Sequence, residues 1–220
     1  MFINLLLGNP MLAIAWIVAI FLSLTVHEFS HALAASKLGD KTAEYMGRLT
    51  LNPIKHIDPV GLIPLLLFGF GWAKPVPFNP YNLQDPKRDS VIIALAGPFS
   101  NLILAIVGGL LLRGMASAGI LDSSSLLVLF LTLIVLINLF LLFFNIIPIH
   151  PLDGSKLVDA LLTKPSQQPL RRAISTYGPN FLLFLVLFSL FTSFNVFFFI
   201  SAPSYFVCDI ISGGACSAFF

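Results

Sequence analysis

His27 and His31 stand four residues apart with Glu28 beside the first, in the run His27-Glu28-Phe29-Ser30-His31. On a helix, residues i and i+4 share a face with β-carbons ~5–6 Å apart, so two imidazoles at that spacing can ligate one metal ion. The neighbouring carboxylate can then act as general base toward a water held at the metal. A plainer alternative is a pair of histidines hydrogen-bonded between helices, with Glu28 as their partner. The pentapeptide lies inside the apolar stretch 11–35, however, and an ionisable group buried in such a stretch is costly and marks function. The spacing predicts one zinc ion at a hydrolytic site at membrane depth.

The elements that must position these residues are membrane spans. The chain is 57% hydrophobic and only 10% charged, far from the roughly 25% charged residues of soluble domains. Apolar stretches at about 11–36, 91–112, 126–149 and 181–202 are long enough to cross. A fifth run, 61–72, is too short and contains Pro64, Gly69 and Gly71, so it reads as a re-entrant or interfacial segment. The predicted fold is an all-α polytopic membrane protein with about four full transmembrane helices and that short segment. Residues 41–51 alternate and are β-prone before the turns at Asn52-Pro53 and Asp58-Pro59, which adds a small strand or hairpin between the first two spans.

Charge sets the orientation. Lys37, Lys41, Arg48, Lys55, Lys74, Lys87 and Arg88 lie between the first two spans, and Lys156, Lys164, Arg171 and Arg172 follow the third; Arg113 alone falls on the other side. Both basic loops are expected in the cytoplasm, with the termini outside. A net charge of +2, with acids interspersed among the bases, implies no nucleic-acid partner. The chain is read as one domain over 1–220, with a catalytic core at about 11–156 and a final span and tail at about 177–220. The N-terminus lacks the positive region of a secretory signal, and its apolar segment carries the metal motif, so that segment is read as retained. Cys208 and Cys216, in the outer tail, are read equally as a disulfide or as two apolar thiols.

Two histidines leave a catalytic zinc site one protein ligand short. Asp153 is the leading candidate: Pro148 and Pro151 release the chain after the third span from helical geometry, and Gly154 allows an unusual turn. Its alternative role is a helix cap before residues 155–160. His150 is a competing ligand, and His56 a weaker one. Asn101, Asn138 and Asn145 lie within spans, where amides most commonly join helices.

Taken together, His27-Glu28-Phe29-Ser30-His31, Ala96-Gly97-Pro98-Phe99-Ser100-Asn101 and Asn145-Ile146-Ile147-Pro148 with Leu152-Asp153-Gly154 resemble the site-2 protease family of intramembrane zinc metalloproteases, in family order on three spans. Gly47-Arg48-Leu49-Thr50-Leu51-Asn52-Pro53 resembles the compact bacterial members, without an appended PDZ or CBS domain. The resemblance covers about 23–156 and implies a three-helix catalytic core, with Asp153 as third zinc ligand and Asn145 holding substrate backbone or the oxyanion. His150 departs from the family's usual proline. Glu28 is expected as the general base, and single-span transmembrane proteins as the substrates. Other expected partners are the lipid bilayer and a second copy or a regulatory membrane protein; the expected location is the bacterial cytoplasmic membrane, with water reaching the site from the cytoplasm.

Two rival readings are a zinc transporter or sensor and an inactive homologue serving as a scaffold. A transporter needs ionisable ligands through both halves of the membrane, and the outer half has almost none. Loss of the base is the simplest route to inactivity, and Glu28 is intact.

Overall fold

The computed structural model describes residues 6–120, 122, 125–192, 194–214 and 216. Its α-helices from Pro10 onward are α1 (Pro10–Lys37), α2 (Thr42–Tyr45), α3 (Pro59–Phe68), α4 (Pro86–Ser117), α5 (Leu126–Asn145), α6 (Ser155–Leu161), α7 (Gln168–Phe191) and α8 (Phe198–Ser212). By length and composition α1, α4, α5 and the segment Pro165–Phe191 can each cross a membrane, so the chain is an integral membrane protein. The long helices start where the sequence offers caps: Asn9 and Asp85 accept from the first free amides of α1 and α4, and each is followed by proline, which has no amide to satisfy.

Helices α1, α4 and α5 form the central bundle. Lipid gives helices no hydrophobic reason to associate, so close approach depends on small residues and interhelical hydrogen bonds. Ala13, Ala19, Ala32 and Ala35 of α1 are fully buried. On α4, a β-carbon at Gly108 would sit 3.0 Å from Val135 Cγ2 of α5. Toward the Leu126 end of α5, Leu112, Val128, Val135 and Leu139 make an apolar core. Cys208 of α8 and the following Cys216 complete it and are disulfide-bonded, which decides between the two readings of these residues.

Two expectations fail. No strand or hairpin forms at 41–51; among the described residues the sole β-type pairing is an isolated antiparallel bridge between Ile57 and Ala73. The reason is local capture of the backbone. Asp40 Oδ1 accepts from Thr42 N at 3.1 Å and Thr42 Oγ1 at 2.6 Å, starting the single turn of α2. Gly47, at φ +66°, then turns the chain so that Arg48 N donates to Ala43 O at 2.8 Å. The fourth span is also misplaced. Instead of one helix over 181–202 there are two: α7 ends at Phe191, α8 begins at Phe198, and between them Thr192 Oγ1 takes the amide of Phe194 at 3.4 Å. Thr192 and Asn195 are residue types that favour turns over helix. Segment 61–72 carries the ten-residue α3, too short to cross, as expected.

Asp40 staples the bundle's loop region together. It is fully buried and also accepts from Asn79 N at 2.6 Å and Asn82 Nδ2 at 2.8 Å. Burial alone would raise its carboxyl pKa, but these donors together hold it below the usual range. Asp40→Ala should therefore lower the unfolding free energy by about 3 kcal/mol, measured by denaturant titration in detergent micelles. Because the folded-state pKa is depressed, this contribution is fully present above the unfolded-state pKa. The gap between wild type and variant should close as pH falls through the folded value.

Candidate metal centre

Helix α1 places His27 and His31 on one face, both buried. Asp153 reaches them from the loop after α5. That loop leaves helical geometry at Asn145, carries a cis His150-Pro151 bond, and closes when Gly154 N donates to Asn145 O at 2.7 Å. A β-carbon at position 154 would lie 2.1 Å from Ile146 O, so the closure requires glycine. The three residues predicted as ligands are thereby brought together. Asp153 Oδ2 lies 3.3 Å from each Nε2, and the two Nε2 atoms are 3.0 Å apart.

The hydrogen-bond network fixes what these atoms are. Asn138 Nδ2 lies 2.7 Å from Ile134 O, a pure acceptor, so that atom of Asn138 must be the donor; it also donates to Ser23 Oγ at 2.8 Å. The other end of this amide is then an oxygen, and it accepts from Asn101 Nδ2 at 2.7 Å. Asn101 must in turn present its oxygen to His27 Nδ1, which is therefore the protonated nitrogen. His31 Nδ1 donates to Ile93 O at 2.7 Å. In the neutral imidazoles, with the proton on Nδ1, both Nε2 atoms face each other and Asp153 Oδ2 as lone pairs. That carboxylate oxygen is buried and has no hydrogen-bond partner. Three acceptors at this separation fit around a cation. Tetrahedral zinc ligands with bonds of ~2.0–2.1 Å lie ~3.3 Å apart, and two imidazoles with one carboxylate leave the fourth position open.

By sequence, Asn101 and Asn138 read as packing residues. They do join three helices, since Ser23 is on α1, Asn101 on α4 and Asn138 on α5, and all three are fully buried. Their chain of bonds ends on His27, however, and no sequence spacing links positions 27, 101 and 138. Replacing Asn138 with Leu leaves Asn101 free to turn its amide and lets His27 take either tautomer. Zinc affinity is expected to fall about 10–100-fold, measured by chelator competition.

Glu28 is buried beside His27. Its charge is felt by Arg48, whose guanidinium is pushed below its ordinary pKa by burial and drawn back up by Glu28. Arg48 donates to Lys74 O, and its Nε has no partner. A cavity lined in part by Leu24, Thr25, His56 and Trp72 begins one helical turn from Glu28. The two competing histidines are engaged elsewhere: His150 Nε2 is 3.5 Å from Asp159 Oδ2, and His56 Nε2 is 2.8 Å from Thr50 O. Asn145 stands at the root of the Asp153 loop, where its Nδ2 donates to Leu141 O at 3.0 Å.

Residues 15–127 and 114–189 match the family described as Peptidase family M50. The chain is 43% identical over 175 residues to YwhC of Bacillus subtilis (strain 168), covering 78% of each protein. It is 33% identical over 158 residues to Rip2 of Mycolicibacterium smegmatis, covering 69% of this chain and 59% of that one. With Rip2 of Mycobacterium tuberculosis (strain H37Rv) it shares 30% over 198 residues, 86% of this chain and 70% of the relative. Each relative is a candidate zinc metalloprotease by name. No solved structure matches the chain.

Proposed function

Since this chain belongs to peptidase family M50, the site-2 proteases, and is a zinc metalloprotease integral to a membrane, we propose that it cuts peptide bonds in or near the transmembrane helices of single-span proteins. The observation that carries this reading is depth. His27 lies ten residues before Lys37 on one continuous helix, so the ligand cluster sits about 15 Å in from the basic end of α1. A soluble protease has no reason to place its chemistry there.

His27, His31 and Asp153 would hold a single zinc ion. Zinc so held supplies Lewis acidity, lowering the pKa of water and polarising a carbonyl. Asn101 and Ile93 O keep both imidazoles as donors at Nδ1, leaving Nε2 to the metal. Glu28 takes the proton of the attacking water and returns it to the leaving amine. Arg48 lies within electrostatic reach of Glu28. Asn145 would hold substrate backbone or the oxyanion. A substrate helix hides its carbonyls in its own hydrogen bonds, so it must unwind locally before attack. The basic residues between α1 and α4 and after α5 support an opening toward the cytoplasm of a bacterial cell, with the termini outside. The partners are the bilayer, the substrate span and, for control, a second copy or another membrane protein.

The test is co-reconstitution of the zinc-loaded protein with a set of single-span proteins in proteoliposomes, with product termini mapped by mass spectrometry. New termini should fall inside or at the edge of the substrate span. Cleavage confined to soluble flanks overturns the proposal.

A further inference from the structure

Glu28 shares its face of α1 with Phe21, Leu24 and Thr25, which precede it at the spacing of helical neighbours. His27 and His31 point elsewhere, toward α4, since a β-carbon on Gly97 would strike both rings. Across from the Glu28 stripe lies the segment 57–74, which doubles back on itself around α3. Phe21, Leu24 and Thr25 form one wall of a cavity there, and Leu62, Leu65 and Ala73 belong to the other. A second route ties this space to Glu28. His56, also in the wall, has its Nδ1 3.5 Å from Arg48 Nη2, and Arg48 lies within electrostatic reach of Glu28.

The far wall is preformed. Ile57 and Ala73 make an antiparallel bridge, Lys74 N donates to His56 O at 2.8 Å, and Trp72 Nε1 donates to Asp58 Oδ2 at 2.9 Å. A β-carbon on Gly61 would collide with Trp72 O, and one on Gly71 with Gly61 O, so the two arms meet at their glycines. Backbone braced in this way holds the gap open.

The gap suits a small apolar group. It accommodates little more than one water-sized body, about 20 Å³, and a buried water needs about two to four polar partners. The polar groups best placed to serve one are engaged. His56 Nε2 donates to Thr50 O at 2.8 Å, and Asp58 accepts from Val60 N at 3.0 Å as well as from Trp72. Apart from Thr25, the remaining wall is aliphatic and aromatic, which suits a methyl group.

We propose that this cavity receives the side chain of a substrate residue flanking the scissile bond, and that Leu62, Leu65 and Ala73 set the size it accepts: alanine fits and leucine does not. The proposal rests on the protease reading. A carbonyl attacked by water that Glu28 activates lies within about one residue length, ~3.8 Å, of the flanking α-carbons. Leu24 and Thr25 carry β-carbons ~5–6 Å from that of Glu28, so a flanking side chain reaches the cavity directly.

The test reconstitutes the zinc-loaded full chain with a single-span substrate whose cut has been mapped, and with versions carrying Gly, Ala, Val, Leu or Phe on either side of that cut. For wild type, kcat/KM on one side should fall at least about tenfold from Ala to Leu. Leu65→Ala should remove that loss, and Ala73→Leu should deepen it until Gly is preferred to Ala. The order on the other side of the cut should stay as in wild type. General damage to the fold lowers all substrates alike, whereas the cavity demands opposite shifts from the two variants. Equal turnover of Ala and Leu by wild type on both sides, or the wild-type order in both variants, overturns the proposal and leaves the protease reading standing. Failure of the wild type to cut any span removes that reading and the proposal with it.

Discussion

Glu28→Gln is expected to keep its zinc and lose about 10³–10⁴-fold in turnover, since a positioned general base supplies roughly 10²–10⁴ and, among the described residues, the only carboxylate in the ligand cluster is the ligand Asp153. Glutamine matches the shape of the buried side chain, so packing around His27 is preserved. The imidazoles are held from their far sides by Asn101 and Ile93 O, and neither contact involves residue 28. Metal content and turnover should therefore separate: zinc stays near wild type by elemental analysis while cleavage of a reconstituted single-span substrate collapses. Full cleavage by the variant would remove Glu28 from the chemistry.

Gly97→Ala should do the reverse, removing the metal and with it the activity. The added β-carbon would lie 2.4 Å from His31 Nε2, 2.6 Å from His31 Cε1 and 2.7 Å from His27 Cε1. These are ring atoms at the coordinating edge, and the rings cannot swing away without giving up the bonds to Asn101 and Ile93 O. Either the imidazoles leave their positions or α4 retreats from α1, and overpacking of this kind costs about 1–3 kcal/mol. We expect zinc affinity to fall at least about 100-fold, the upper range for disturbed ligand orientation, with helix content unchanged by circular dichroism. Wild-type zinc affinity in the variant would show that α4 can move aside freely.

The metal cluster was largely legible because its signals are local or compositional. Histidines four apart are neighbours on any helix, and Asp153 was marked by the prolines and glycine around it. What failed depended on contacts distant in sequence or on competition between local bonds. The β-prone residues at 41–51 were claimed by the side chain of Asp40, whose other partners, Asn79 and Asn82, lie some forty residues away. The break between α7 and α8 hid inside a long phenylalanine-rich run, where composition outweighed three small polar residues. The amide relay could not be read at all, because Ser23, Asn101 and Asn138 meet only after three helices have packed.

The relay also dictates an order of biogenesis. Helix α1 carries His27-Glu28-Phe29-Ser30-His31 into the membrane first, but the carbonyl that sets the direction of the relay belongs to Ile134, and Asp153 is encoded later still. A nascent chain that has inserted only α1 and α4 has two histidines, one of them with an unassigned tautomer, and no carboxylate to complete the triad. On the proposed function such an intermediate is a poor zinc ligand and an inert hydrolase, so any cleavage of surrounding membrane proteins would begin only when synthesis has passed α5 and Asp153.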